Sequence, residues 1–226
     1  MKFTATQIPY HTTGLFSKLV NDYIECNEAA LQFANYAPNM EGVGKAIKQR
    51  ANFPIDRINL VNVLKEQYLN VEANPAVLSN VALLLQDNTF AVTTAHQPNI
   101  FTGPLYFFYK IIHAIELAAD LKKQFPECNF VPVYYMGSED ADIDEVGSFY
   151  LNGAKHQWVT KQTGAIGRMK VDDALLSLVK NIEGFWSVKH QGGEALDSLK
   201  KAYTKGATIN EATLSLVNAY FGKYGL

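Results

Sequence analysis

The stretch that most constrains the fold is residues 88–106, an apolar, β-prone run that ends in a polar turn just before a long helical pattern. Residues 88–95 hold β-branched side chains and no breaker, the pattern of a buried strand. Gln97-Pro98-Asn99 is turn chemistry. Pro104 stands where a first helical residue belongs, with its φ already helical, so a helix is expected over 104–124. Leu105, Phe108, Ile112, Ile115 and Ala119 recur at helical spacing and are its expected buried face. Lys122 and Lys123 fall in the last turn, where cations suit the helix dipole. A second apolar run, Phe130–Met136, ends in Gly137-Ser138-Glu139-Asp140-Ala141-Asp142. Strand, helix and strand in one short span predict a βαβ unit with a right-handed crossover. Sheets of this type bind ligands beyond the carboxyl ends of their strands. His96–Gly103 and Ser138–Asp142 both fall there, so they are expected to share a site.

The residue types suit such a site. Backbone N–H groups at the start of the 104–124 helix can bind an anion, and Gly103 lets a ligand approach the backbone. The layout resembles the His-containing turn of nucleotidylyl-transferring enzymes. An ordinary β–α turn capped by a histidine is the alternative. No Walker loop and no Gly-x-Gly-x-x-Gly fingerprint occurs. Glu139, Asp140, Asp142, Asp144 and Glu145 put five acids into seven residues. Their mutual repulsion calls for a cation, a donor or an amine. A substrate amine or a magnesium ion would serve. A solvated loop at a helix N-terminus accounts equally well for Asp144 and Glu145. Tyr106 and Lys110 are four apart and share a helix face, with Tyr109 beside them. Lys110 either reaches a phosphate or carboxylate or snorkels over apolar surface.

Before residue 88 the pattern is helical. Residues 1–12 read as extended. Helices are expected over 14–36, 40–51 and 56–70, the last capped by Asp56, and a further one opens at Asn74-Pro75. The expected division is a helical segment, 1–87, packed on a core domain, 88–226. After Asp142, strands are expected at Ser148–Leu151 and Gln157–Thr160 around an Asn152-Gly153 hairpin turn, with a third at Gly164–Val171. Asp172 caps a helix to about Ile182, and helices follow at 192–204 and 210–221. Glu183–Gly193 is the best linker candidate. Phe221–Leu226 reads as a helix cap leading towards another strand. Trp158 and Trp186 read as core aromatics, and His190 as a surface histidine.

The net charge of −2 over 226 residues offers no basic stripe for nucleic acid. No run has the length of a membrane span, and the first residues lack a signal peptide's apolar core. Cys26 and Cys128 are the only cysteines and have no zinc spacing. They fit reduced thiols in a cytoplasmic protein.

The run His96-Gln97-Pro98-Asn99-Ile100-Phe101-Thr102-Gly103-Pro104-Leu105-Tyr106, with Tyr109-Lys110 and the later Ser138–Asp142 segment, resembles the bacillithiol-biosynthesis cysteine-adding enzymes, the BshC family. The likeness is clear over about residues 88–146. His96 stands where that family usually has glutamine, and Asn99 where many members have glycine. The resemblance implies an α/β fold with a Rossmann-like, mostly parallel sheet and an N-terminal helical segment. It implies carbon–nitrogen ligation, joining cysteine to glucosaminyl malate, with ATP or another nucleotide as the candidate activator and magnesium compatible. His96, Glu139, Asp140 and Asp142 are the catalytic candidates. Gln97, Asn99, Thr102, Gly103, Tyr106, Lys110 and Ser138 are the binding candidates, and no metal ligand is assigned. The family's chains are longer, so the sequence is expected to be an N-terminal fragment, inactive alone, of a homodimeric protein. Two other classes remain open on residues alone: a nucleotidylyl-transferring enzyme acting on another small acid, and a non-catalytic interaction domain.

Overall fold

A computed structural model describes residues 4–140, 142–187 and 193–226. His190 and much of the expected 183–193 linker lie outside them. The chain divides into two compact units, Met1–Ile55 and Asp56–Leu226. The division expected at 87/88 therefore falls inside the second unit.

The first unit opens with α1 (Tyr10–Thr13), and the single helix expected over 14–36 is two short ones, α2 (Lys18–Ile24) and α3 (Glu28–Leu31). Residues 10–13 are helical rather than extended. The breaks have local causes. Gly14 and Cys26 take positive φ (67° and 60°), while Ser17 and Asn27 accept hydrogen bonds from Val20 and Ala29 N–H and so begin new helices. α4 (Met40–Ala51) forms where expected, capped by Asn39.

The second unit begins with α5 (Arg57–Gln67), capped by Asp56, and α6 (Pro75–Leu83), capped by Asn74. β1 (Thr89–His96) and β2 (Asn129–Met136) follow, joined by α7 (Tyr106–Gln124). The strands pair in parallel along their whole length, from Thr89↔Asn129 to His96↔Met136. This is the expected βαβ unit, and the register ends both strands at one level. The pair is layered between helices. Val131 packs with Val61, Val77, Val81 and Leu84 of α5 and α6 on one face, and Tyr134 with Phe107 and Ile111 of α7 on the other. At about 25 cal/mol per Å² of apolar area, such faces supply the main driving force for the unit.

α7 corrects two expectations. It starts at Tyr106, two residues after Pro104. Its buried face is Phe107, Ile111, Ala114, Ala118 and Leu121, while Leu105 and Ile112 are 66% and 45% exposed. The first two turns carry apolar side chains on two faces, Phe107 and Ile111 on one and Phe108 and Ile112 on the other, so helical periodicity admits either. Ala114 and Ala118 decide it, because small side chains let the helix approach the strands.

β3 (Ser148–Leu151) and β4 (Ala154–Gln157) form an antiparallel hairpin, preceded by α8 (Ile143–Val146). β4 ends at Gln157, the residue where the expected second strand was to begin. Asn152 and Gly153 both take positive φ (51° and 80°), the two-residue type I′ geometry, which obliges pairing to resume at Ala154. No strand forms over 164–171. A short 3₁₀ turn, Ile166–Arg168, and one bridge, Lys170↔Thr208, stand there instead. α9 (Asp173–Ser187), α10 (Gly193–Ala202) and α11 (Ile209–Phe221) complete the unit around a core that holds Ile100, Trp158, Tyr203 and Leu216. After α11 the chain makes a 3₁₀ turn, Gly222–Tyr224, not a strand.

Asp172 ties this core together. It accepts from Trp158 Nε1 (2.9 Å), Thr160 Oγ1 (2.9 Å) and the Leu175 N–H (2.9 Å), with Gln162 at 3.4 Å. Burial pushes its pKa up, but these four donors outweigh burial and hold it below 3.8. A depressed carboxylate stabilises the fold above its unfolded pKa, and the contribution is lost as pH falls through the folded value. Asp172→Asn should therefore cost about 1–3 kcal/mol at pH 7. The variant should also lose less further stability than wild type between pH 5 and 3, as urea midpoints at both pH values will read. Equal acid sensitivity in the two proteins would remove Asp172 from this role.

Candidate functional site

Because β1 and β2 end in register, the turns that follow them meet. The Gly137 N–H donates to the His96 carbonyl at 3.1 Å, and the Tyr134 hydroxyl donates to the same oxygen at 3.0 Å. Between the turns lies an open depression of about 350 Å³, lined by Ala95, His96, Gln97, Tyr135, Gly137, Glu139 and Asp140. Four of the eleven sequence candidates thus line one surface. Tyr106 and Lys110 reach its edge from α7. The Tyr106 hydroxyl lies 2.9 Å from His96 Nε2, and Lys110 Nζ donates to the Ala95 carbonyl.

His96 is held on both sides. Its Nδ1 is 2.9 Å from the Gln97 carbonyl, which can only accept, and 3.2 Å from the Asn99 amide. The shorter pairing puts the proton on Nδ1, so Nε2 accepts from Tyr106 O–H and Asn99 makes a packing contact rather than a hydrogen bond through its NH2. The ring is buried, 7% exposed, and packs edge-on to Phe107. With both nitrogens engaged inside the protein, the ring offers no free donor to an anion. In this geometry it orients the Tyr106 phenol, and the Lys110 ammonium, held by the Ala95 carbonyl, is a cation nearby.

The other candidates are placed differently. Asn99 does not line the depression: it is 8% exposed, behind His96, with its amide 3.2 Å from His96 Nδ1. Asp142 caps the short α8 by accepting from the Glu145 N–H, 3.1 Å. Ser138 faces a separate groove. Thr102 and Gly103 lie in a strained turn in which Phe101, Thr102 and Gly103 all take positive φ (54°, 78° and 65°). Such backbone persists only where its surroundings over-determine it. Here the Phe101 ring packs against Phe149 and Tyr203, and the Phe101 N–H donates to the buried Tyr203 hydroxyl at 2.9 Å. A Cβ on Gly103 would fall 2.7 Å from Asn99 Cβ, so this glycine is demanded by the turn itself, whatever approaches from outside. The expected anion cradle is also narrower than the sequence suggested. Phe107 N–H donates to Pro104 and Phe108 N–H to Leu105, which leaves the amides of Leu105 and Tyr106 outside the depression.

Tyr135 and Gly137 line the site without having been singled out. Alternation along β2 could have flagged Tyr135, since Tyr134 turns into the core and its neighbour must turn away. Among the described residues no three His, Cys, Asp or Glu side chains cluster as metal ligands. Asp140 Oδ1 accepts from the Asp142 N–H at 2.9 Å, and the Asp140 carbonyl accepts from Ile166 at 2.7 Å. That carboxylate is thus fixed by backbone contacts, while Glu139 is exposed and free to swing.

A parallel βαβ unit with its polar groups gathered beyond the strand ends defines a Rossmann-like class of α/β protein. The family model described as bacillithiol biosynthesis BshC, N-terminal Rossmann-like domain, matches residues 1–226. The chain belongs to that family. It is 39% identical over 225 residues to a protein of Flavobacterium johnsoniae, covering 97% of this chain and 42% of the relative. It is 34% identical to one of Cytophaga hutchinsonii (99% and 41%) and 28% identical to one of Carboxydothermus hydrogenoformans (94% and 40%). All three relatives carry the provisional name cysteine ligase BshC. The chain spans about two-fifths of their length.

Proposed function

We propose that the protein is the Rossmann-like part of a carbon–nitrogen ligase that joins cysteine to glucosaminyl malate in bacillithiol biosynthesis. The observation that carries this reading is the in-register end of β1 and β2, which gathers His96, Gln97, Glu139 and Asp140 around one depression with Lys110 at its rim. The relatives' names supply cysteine ligation and the family model bacillithiol biosynthesis, while glucosaminyl malate as the acceptor comes from the resemblance alone.

Amide formation needs an activated carboxylate and an unprotonated amine. A nucleotide would supply the activation. The donor set fits an anionic group in charge and number: the Lys110 ammonium and the Gln97 amide face the strand end. Asp140, held rigidly, would bind the substrate's ammonium form and orient it. Glu139, exposed and mobile at its tip, would take the proton released as nitrogen attacks. Tyr106, whose one O–H is given to His96 Nε2, would accept a hydrogen bond from a donor group of the substrate. The surface is open, so the rest of the longer chain must close it before water is excluded. Free Cys26 and Cys128 suit a reducing, cytoplasmic setting, and the whole protein is proposed to act as a homodimer.

A thermal-shift panel of nucleotides, cysteine and glucosaminyl malate on the full-length protein tests the reading. Stabilisation by cysteine and glucosaminyl malate, alone or with a nucleotide, is expected. Stabilisation by a nucleotide with a different acid would replace it with nucleotidylyl transfer, and no ligand at all would leave an interaction domain. The 226-residue chain alone should form no detectable cysteinyl product under conditions where the full-length protein turns over. Ligation by this chain would show that its open depression suffices.

A further inference from the structure

The turn after β2 is held by a second segment. The 3₁₀ turn Ile166–Arg168 lies along it, with the Ile166 N–H donating to the Asp140 carbonyl at 2.7 Å and the Gly167 N–H to the Ser138 carbonyl at 3.1 Å. Ile166 and Met169 are buried on either side, so the backbone that carries Arg168 is fixed. Gly167 is not demanded by backbone conformation, because its φ is not positive. It is demanded by a close approach: a Cβ there would fall 2.3 Å from Asn210 Oδ1 and 2.7 Å from Ser138 Cβ. Three segments thus converge at the carboxyl end of β2. Ser138 comes from the turn after the strand, Gly167 and Arg168 from the 3₁₀ turn, and Asn210 from the first turn of α11. Ser138 and Asn210 both line the groove that opens there.

The side chains of this cluster are unmet. Asn210 Oδ1 is buried without a hydrogen bond, shut in against Gly167. An unmet buried acceptor costs about 1–3 kcal/mol, so stability gives no reason for an asparagine here. Its Nδ2, the Ser138 hydroxyl and the exposed Arg168 guanidinium make no side-chain hydrogen bond or ion pair among the described residues. Arg168 pairs with none of the acids around it. Asp140 is engaged by the Asp142 N–H, and Glu211 by the Thr208 N–H and O–H. A guanidinium with an amide and a hydroxyl beside it takes a planar anion through paired hydrogen bonds. A carboxylate fits better than a phosphate, because its single charge meets less repulsion from Glu139, Asp140 and Glu211. The depression itself supplies little positive charge, since it sets Glu139 and Asp140 against a Lys110 ammonium that the Ala95 carbonyl already holds. We propose that Arg168, Asn210 and Ser138 form a carboxylate subsite of the candidate site, in which Arg168 supplies the charge. Tyr135 lines both the groove and the depression, so the two are contiguous. For its substrate this inference rests on the ligation reading: the malyl group of glucosaminyl malate supplies the carboxylate, and the amine lies towards Glu139 and Asp140.

The test is calorimetric titration of the full-length protein with glucosaminyl malate, L-malate and ATP, in wild type, Arg168→Gln, Arg168→Lys and Asn210→Ala. Arg168 has no side-chain partner and Asn210→Ala removes an unmet acceptor, so melting should be unchanged or slightly higher. Arg168→Gln should weaken glucosaminyl malate about ten- to a hundredfold and leave ATP within about twofold. Arg168→Lys should recover only part of that loss, because an ammonium lacks the planar fork. Equal affinity of every variant for glucosaminyl malate would overturn the subsite and leave the ligation reading standing. A wild type that ignores glucosaminyl malate but binds L-malate, with that binding lost in Arg168→Gln, would overturn the ligation reading and keep the subsite. Loss of ATP affinity instead would make the cluster a phosphate site and overturn the proposal. So would a wild type that binds neither acid, or an Asn210→Ala variant that melts lower, which would make Asn210 a structural residue.

Discussion

Asp140→Asn in the full-length protein should lower ligation turnover by about two to four decades while leaving the melting temperature within about 2 °C of wild type. The structural half of that expectation rests on the contacts. The Asp140 side chain's one intramolecular bond is from the Asp142 N–H to Oδ1, and its carbonyl holds the Ile166 N–H. An asparagine keeps the acceptor oxygen and the backbone unchanged. Removing a charge from beside Glu139, Asp142, Asp144 and Glu145 relieves repulsion rather than adding it. The functional half rests on position. Asp140 lines the depression, and its carboxylate is held in place. Losing one partner of a desolvated charge pair costs roughly 3–5 kcal/mol, and each 1.36 kcal/mol is about a decade. Unchanged turnover would make Asp140 a turn former only and move the role to Glu139. A fall in both turnover and melting temperature would make its contribution structural.

How far this site could be read from the sequence follows from what each signal measures. Two continuous apolar runs of strand length, separated by one helix, can hardly pair any other way, so β1, β2 and the meeting of their turns were legible. The faces of α7 were not, because Leu105, Phe107, Phe108, Ile111 and Ile112 are all apolar and periodicity cannot rank two hydrophobic stripes. The strands make that choice, and they favour the stripe with Ala114 and Ala118. The acidic run shows the same limit. Composition marks five carboxylates as crowded, but only coordinates show that Asp142 caps α8 while Asp140 faces the depression. That His96 stands in the turn at the end of β1 was legible. Its engagement by the Gln97 carbonyl and Tyr106, which makes it a positioning group, depends on a turn geometry that no spacing rule encodes. The hairpin shows the converse. Asn152-Gly153 fixed β4 more firmly than the β-prone run after it, because two positive φ angles leave the chain no choice of register.

Gly103→Ala should destabilise the second unit by about 2–6 kcal/mol, the sum of two separate costs. The first is backbone. Gly103 has φ +65° and ψ −143°, a region that side-chain-bearing residues reach only with strain of about 1–3 kcal/mol. The second is contact. The added Cβ would fall 2.7 Å from Asn99 Cβ and 2.8 Å from its Cγ. Asn99 is buried against His96 and cannot swing out without breaking that contact. Overpacking of this kind costs a further 1–3 kcal/mol or so. For a chain of this size 1 kcal/mol is about 2–4 °C, so melting should fall by roughly 4–24 °C. Gly103→Val should fall further. The two costs can be separated. Asn99→Gly removes the atoms that the new Cβ strikes but leaves φ and ψ as they are, so the double variant Asn99→Gly, Gly103→Ala should recover the contact cost and keep the backbone cost. A coupling of about 1–3 kcal/mol between the two sites is the expected reading of the cycle. Additive effects would show that Asn99 yields to the new methyl group. A Gly103→Ala variant with wild-type melting and impaired ligand binding would instead return Gly103 to the role its sequence first suggested, an opening for ligand to approach the backbone.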